Sequence, residues 1–193
     1  TGQTSTNSSN GGVYRLNLKS PTDNAVKFDW TGQEGATNVS QYERIASMRL
    51  DANGNLIFGF TPYNIDGQLK YSNRGILFGY RTGKDYDASS YKWTYNKLND
   101  SFITNISSFT YSDQSEKLVL AAGTRIFYST VNDEQKTLGS FITYTTSGTY
   151  NDLIADSANP SVYSLDFFKA NNNYYLYAGA DNGIFISRTY NHS

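Results

Sequence analysis

Cysteine is absent from this 193-residue chain, so no disulfide can staple it and no thiolate can hold a metal or act as a nucleophile. Histidine occurs once, at His192, close to the last residue, where chain ends fray. That position argues against a Ser-His-Asp arrangement and against a multi-histidine metal site. Charge is scarce as well: 17% of residues are charged, the net charge is −1 and the two signs are mixed. No basic stripe offers itself to a phosphate backbone, so nucleic acid is not an expected partner. No apolar run approaches the roughly 18–20 residues of a membrane-spanning helix. The first residues show neither the charged region nor the apolar region of a signal peptide. With a single methionine and three prolines, and few stretches of helix-forming residues at helical spacing, helices are not expected.

What the chain has in abundance is aromatic residues, 17 Tyr and 11 Phe, together with Gly, Asn, Ser and Thr. Aromatic and β-branched residues suit a pleated, half-buried surface, and the small polar residues supply turns, so the fold class is all-β. Residues 1–11 form a Ser/Thr/Asn/Gly-rich head or linker, and residues 12–193 form a single β-domain. The head reads equally as an ordinary disordered terminus or as the spacer behind a lipid anchor placed upstream of Thr1. Expected strands lie at residues 12–18, 25–30, 45–50 and 56–60, with Asn53 and Gly54 as a hairpin turn between the last two. A long connection over residues 61–74 leads to strands at 75–78 and 91–95. The pattern restarts at 106–111, 118–122, 125–129 and 140–144, and ends with three strands within residues 162–189.

This order repeats. Ile45 to Ser47, Ile106 to Ser108 and Val162 to Ser164 open three units, with the serines 61 and 56 positions apart. Each unit continues through a polar turn into an apolar strand ending in small residues: Gly59, Ala121 with Ala122, and Ala178 with Gly179. Each then reaches a strand built on Ile76, Ile126 or Ile184, and Val13 is a fourth instance of that strand type. A period of 55–60 residues with four strands per unit predicts a β-propeller-like array of four-stranded antiparallel blades. The small residues permit close approach of crowded strands, and the aromatics fill the widening space between blades. A β-sandwich is the alternative; it accounts for the composition but not for the recurring order. About three blades fit in the chain, fewer than the usual four to eight. The ring is therefore closed by another chain, or the chain is part of a longer protein. The strand missing after residue 189 comes from residues 25–30, from another subunit or from further sequence.

Val162, Ser164 with Leu165, Tyr177 to Gly179, and Gly183 to Phe185 with Ser187 follow the order of a BNR, or sialidase-type, propeller blade, which this unit resembles. The likeness covers about thirty residues well and most of the chain weakly. It departs from the family at the Asp-box, S-x-D-x-G-x-T-W: the stretch from Ser129 to Asp133 has a displaced acid and lacks the glycine and tryptophan. A second likeness is to quinoprotein-type repeats, through Gly75 to Lys84 followed by Lys92 and Trp93, and it occurs once. The sialidase likeness implies an arginine cluster, a Tyr/Glu nucleophile pair and an acidic Asp, but no motif here carries those roles onto particular residues. Propellers host many unrelated functions.

No catalytic residue, metal ligand or cofactor is expected. Asp85 with Asp87, Asp133 with Glu134, and Asp152 with Asp156 are paired carboxylates of the kind glycoside hydrolysis uses, but each pair sits in a polar, turn-like stretch. Asp51, Asn53 and Asn55 have the alternating oxygens of a calcium loop without its downstream Glu, so a tight hairpin is expected there. No glycine-rich phosphate loop stands at a strand-to-helix junction. The candidate ligand-binding residues are loop tyrosines among small polar neighbours: Tyr63, Tyr71, Tyr86 and Tyr150. The expectation is a non-enzymatic propeller-type binding or scaffold module, exported to the periplasm, outer membrane or surface of a bacterium. Its partner would be another protein or a second copy of itself. The alternative is a carbohydrate-binding adhesin or a sialidase-like domain.

Overall fold

The Asn-Gly pair joins two strands as a hairpin. In the computed structural model, which describes residues 13–16, 18–20, 22, 24–37, 39, 45–60, 63–65, 68–70, 75–98, 103, 105–110, 117–122, 126–143, 162–170, 173–180 and 183–187, strand β3 (Ile45–Leu50) turns into β4 (Leu56–Phe60). Gly54 takes φ 81°, the left-handed conformation this turn needs and glycine adopts without strain. Both oxygens of the Asp51 carboxylate are engaged: Oδ1 accepts from the Asn53 and Asn55 N–H groups at 2.9 and 2.8 Å, and Oδ2 accepts from Asn55 Nδ2 at 2.8 Å. Buried Asn55 passes the network on, its Oδ1 accepting from the Arg81 N–H at 2.8 Å. The loop is a self-satisfied hairpin, as its spacing predicts.

Strand β4 pairs with β7 (Gly75–Arg81), and β7 with β8 (Tyr91–Lys97), all antiparallel, giving sheet 1 in the order β3-β4-β7-β8. The long connection inside it is not featureless: β5 (Tyr63–Ile65) and β6 (Gln68–Lys70) form a two-stranded hairpin there. Sheet 2 contains β9 (Asn105–Thr110), β10 (Lys117–Ala122) and β11 (Ile126–Asn132), with β12 (Thr137–Leu138) and β13 (Ile142–Thr143) both paired to β11. Sheet 3 is β14 (Val162–Ala170), β15 (Asn173–Ala180) and β16 (Gly183–Ser187). At the other end of the sequence, β1 (Val13–Arg15) and β2 (Val26–Phe28) make a separate two-stranded sheet, shorter than expected. The chain is all-β, with one turn of 3-10 helix at Ala88–Ser90 and no α-helix among the described residues. No sheet closes on itself among those residues, and β2 pairs with β1 rather than with β16.

Sheet 1 is covered on both faces, which is why β4 and β7 read as nearly continuous apolar runs. Phe58, Phe60 and Leu77 point to one side, where they pack with Phe28 and Trp30 from the N-terminal segment and with Tyr91 and Trp93 of β8. Trp30 stands 5.3 Å from the Phe58 ring, and Phe58 stacks on Trp93 at 6.2 Å. Both indoles are satisfied, Trp30 Nε1 donating to the Val39 carbonyl at 3.0 Å and Trp93 Nε1 to the Ala88 carbonyl at 2.9 Å. Ile57, Ile76 and Phe78 point to the opposite side and meet Ile103, Ile106 and Leu138 of the sheet 2 region. Gly59 lies on that side too: a Cβ there would run into the Ile103 and Ile106 side chains. The small residue thus makes room for the following sheet.

The pairing aligns the three units residue by residue. In sheets 1 and 3 a bulge falls at the same place, between Ile45 and Ser47 and between Val162 and Ser164. The serine then pairs with a glycine, Gly59 or Gly179, which pairs with an isoleucine, Ile76 or Ile184. The third strand opens in both with a glycine of unusual φ, Gly75 at 152° and Gly183 at 148°. In sheet 2, Ile126 pairs with Ala122 and Ala122 with Asn105. The residue equivalent to Ser47 and Ser164 is therefore Asn105, three positions before the serine that the sequence alignment selects.

Candidate functional site

The three first strands β3, β9 and β14 lie against one another in sequence order, β9 resting on β3 and β4, and β14 on β9 and β10. Two hydrogen bonds join them in the same way. Ser47 Oγ accepts from the Ile106 N–H at 3.0 Å, and Asn105 Oδ1 accepts from the Leu165 N–H at 3.3 Å. The bonds span 59 and 60 residues, and each links one equivalent position to the residue after it in the next unit. Flanking aliphatics seat each incoming strand: Ile103 and Ile106 in one case, Val162 and Leu165 in the other, all buried.

A cleft of about 560 Å³ opens along these strands. Arg49 of β3 and Asn105 with Ile106 of β9 line it on one side; Ser164, Leu165 and Asp166 of β14, Tyr177 and Gly179 of β15, and Ile184 of β16 line it on the other. It has apolar floor, hydroxyl and amide groups, one cation and one carboxylate. Arg49 is exposed and makes no hydrogen bond or ion pair with a described residue. Such a lining can receive an extended peptide or a polar ligand. Among the described residues no group of three or more His, Asp or Glu side chains could hold a metal ion.

Of the candidate tyrosines, Tyr86 is described in full, and it is not among the residues that line this cleft. Tyr86 lies in the loop between β7 and β8 and is 45% exposed. Its ring is stacked by the Arg81 guanidinium, 4.2 Å from the ring centre, and its carbonyl accepts from Arg15 at 3.0 Å. Arg81 is fixed in turn by the Gly83 and Lys84 carbonyls at 3.1 and 3.0 Å. Tyr63 opens β5, away from the cleft-lining strands in the sequence; Tyr71 and Tyr150 lie outside the described residues. The cleft residues were not among the candidate binding residues, although most of them belong to the repeat. Their signal was the repeat itself, since Ser164, Gly179 and Ile184 occupy the positions that in sheet 1 receive the next sheet.

Two members of the carboxylate pairs have defined hydrogen-bond partners, one within a turn and one across the sequence. Asp87 caps the 3-10 turn, accepting from Ser89 Oγ at 2.7 Å and the Ser90 N–H at 3.0 Å, and the Ser89 bond leads in lowering its pKa below 3.8. Asp133 accepts from the Tyr80 hydroxyl at 3.1 Å. Asp152, Asp156 and His192 lie outside the described residues. Burial raises the Tyr91 phenol above its ordinary 10.0, and its buried hydroxyl has no hydrogen-bond partner.

No protein-family model matches the chain, and no curated protein sequence matches it. No helix among the described residues is long and apolar enough to cross a membrane.

Proposed function

We propose that the chain is a non-enzymatic, propeller-type binding or scaffold module whose role is protein–protein assembly. In this reading sheets 1 to 3 are successive blades, and β1–β2 is the outer part of a blade before them. The observation that carries it is the repeated junction between sheets, in which a Ser or Asn side chain accepts the next first strand's N–H; at the first junction Gly59 also leaves room for Ile103 and Ile106. In sheet 3 the matching residues Ser164 and Ile184 are exposed and line the cleft. We further propose that the module works in a bacterial envelope or extracellular setting, where a cysteine-free domain relies on its core alone.

Carbohydrate binding is the second reading, favoured by the Arg49, Asn105, Ser164 and Tyr177 side chains in the cleft. A glycan array run beside a fluorogenic sialoside assay separates the two. The assembly reading expects neither capture nor turnover. Capture that is lost in Arg49→Ala or Tyr177→Ala would establish the sugar-binding reading, and turnover would establish a glycosidase.

A further inference from the structure

The cleft has a direction, and the repeat makes it visible. Two residues beyond the serines Ser47 and Ser164, the same register position holds Arg49 in sheet 1, paired with Ile57, and Asp166 in sheet 3, paired with Tyr177. In the middle unit that position is the uncharged Ser107, two residues beyond Asn105. Strand β9 rests on β3, and β14 on β9. The cleft therefore runs from a cation on its β3 side to a carboxylate on its β14 side.

Its apolar part is aliphatic: buried Ile106 and Leu165, and Ile184, which is 79% exposed. Each of these features selects. The Arg49 guanidinium is exposed and makes no hydrogen bond or ion pair with a described residue, and its paired N–H donors match a carboxylate. Asp166 in the same cleft repels a polyanion, which calls for several cations and no carboxylate. Covering Ile184 and the Leu165 floor favours an aliphatic side chain, which a sugar with hydroxyls all round does not bring. At about 560 Å³ the cleft has the size of a ligand site, and its lining crosses three sheets, so the occupant is elongated. An extended chain presents alternate side chains to one side and meets that demand.

Resting on the assembly reading above, we infer that the cleft holds an extended peptide segment of a partner protein. The segment places an acidic side chain on Arg49, aliphatic side chains over Leu165 and Ile184, and a basic side chain toward Asp166. The Ser164 hydroxyl and the Asn105 amide supply polar groups to its main chain. A segment with two acidic ends meets like charge at Asp166, and one with two basic ends meets it at Arg49.

Fluorescence anisotropy with short, end-blocked peptides tests this, using leucines flanked by one acid and one base, by two acids or by two bases. Wild type should bind the mixed-charge set saturably and the other two sets at least about tenfold more weakly, the scale of losing a charge contact. Arg49→Ala should weaken the mixed-charge peptide by a similar factor and lose little more when Gln replaces the acid. Arg49→Glu should come to prefer the doubly basic set, a gain that a misfolded variant does not give. Ile184→Asp should weaken binding of the mixed-charge set. Arg49 and Ile184 are both exposed, and unchanged melting checks the folding of their variants. A wild type that binds no set, or binds all three alike, or an Arg49→Glu variant with unchanged preference would overturn the inference. Such a result leaves assembly through another surface standing, whereas glycan capture lost in Arg49→Ala, or sialoside turnover, would overturn the assembly reading itself.

Discussion

Sheets 1 and 3 share a bulge, a serine–glycine–isoleucine row and a third-strand glycine of the same φ, yet they live in different surroundings. Sheet 1 has the N-terminal aromatics on one face and the isoleucines of the following unit on the other. In sheet 3 the equivalent face is a wall of the cleft, with Ser164 and Ile184 exposed on it. The local sequence pattern therefore specifies strand register and bulge position, while the neighbouring unit supplies the burial. Nearest-neighbour packing of this kind makes stability a sum of unit and junction contributions, as in other repeat proteins.

The widest gap should come from the fully covered sheet. Trp30→Ala removes the indole that bridges Phe58, Phe60 and Trp93, and its expected cost is about 3–5 kcal/mol in urea unfolding. A change below about 1 kcal/mol would show that the N-terminal aromatics do not cover sheet 1 in solution. Next comes the matched isoleucine pair: Ile76→Ala should cost roughly 2–5 kcal/mol, and Ile184→Ala about 0.5 kcal/mol or less. Equal losses at the two positions would erase the distinction between the sheets. The serine pair repeats the comparison on a smaller scale. Ser47→Ala strips the acceptor from the Ile106 N–H and should cost about 1–3 kcal/mol, while Ser164→Ala should stay near zero.

The smallest effect is expected at Tyr91, whose buried hydroxyl finds no partner. Tyr91→Phe should leave stability at pH 7 unchanged or raise it by up to about 1 kcal/mol. The sign on the alkaline side follows from the raised pKa. A phenol held neutral by burial contributes stability that is fully present below pH 10.0 and is lost as the pH rises through the folded-state value. The substitution should remove that part of the alkaline loss, read as a shallower fall in melting temperature above pH 10; an unchanged slope would place the ionisation elsewhere.

Much of this architecture was legible in the residues. Strands β3 and β4 fall on their expected bounds because the Asn-Gly turn fixes both ends of the hairpin. The repeat was legible too, though the middle unit was aligned on serine, whereas the position needs only a side-chain acceptor and Asn105 serves as well as Ser47. Identity of residue misled where identity of chemistry would have guided. The β5–β6 hairpin was signalled by Asp66 and Gly67, a favoured turn pair inside what reads as a loop. Strand β12 is two residues long and carries no pattern of its own. The cleft was illegible for a different reason: it is lined from three sheets, and no local stretch records which first strands become neighbours. For Tyr86 the sequence did not record the partner at hand, the Arg81 guanidinium that stacks on its ring.

The junction bonds at Ser47 and Asn105 draw on a backbone N–H, a group every residue but proline supplies. Recognition between units therefore asks little of the arriving sequence beyond two aliphatic side chains at fixed spacing. A unit can drift almost everywhere else and still be accepted by its neighbour. The number of units in such an array is then open to change by duplication or loss, with each new arrival fitting a seat already prepared.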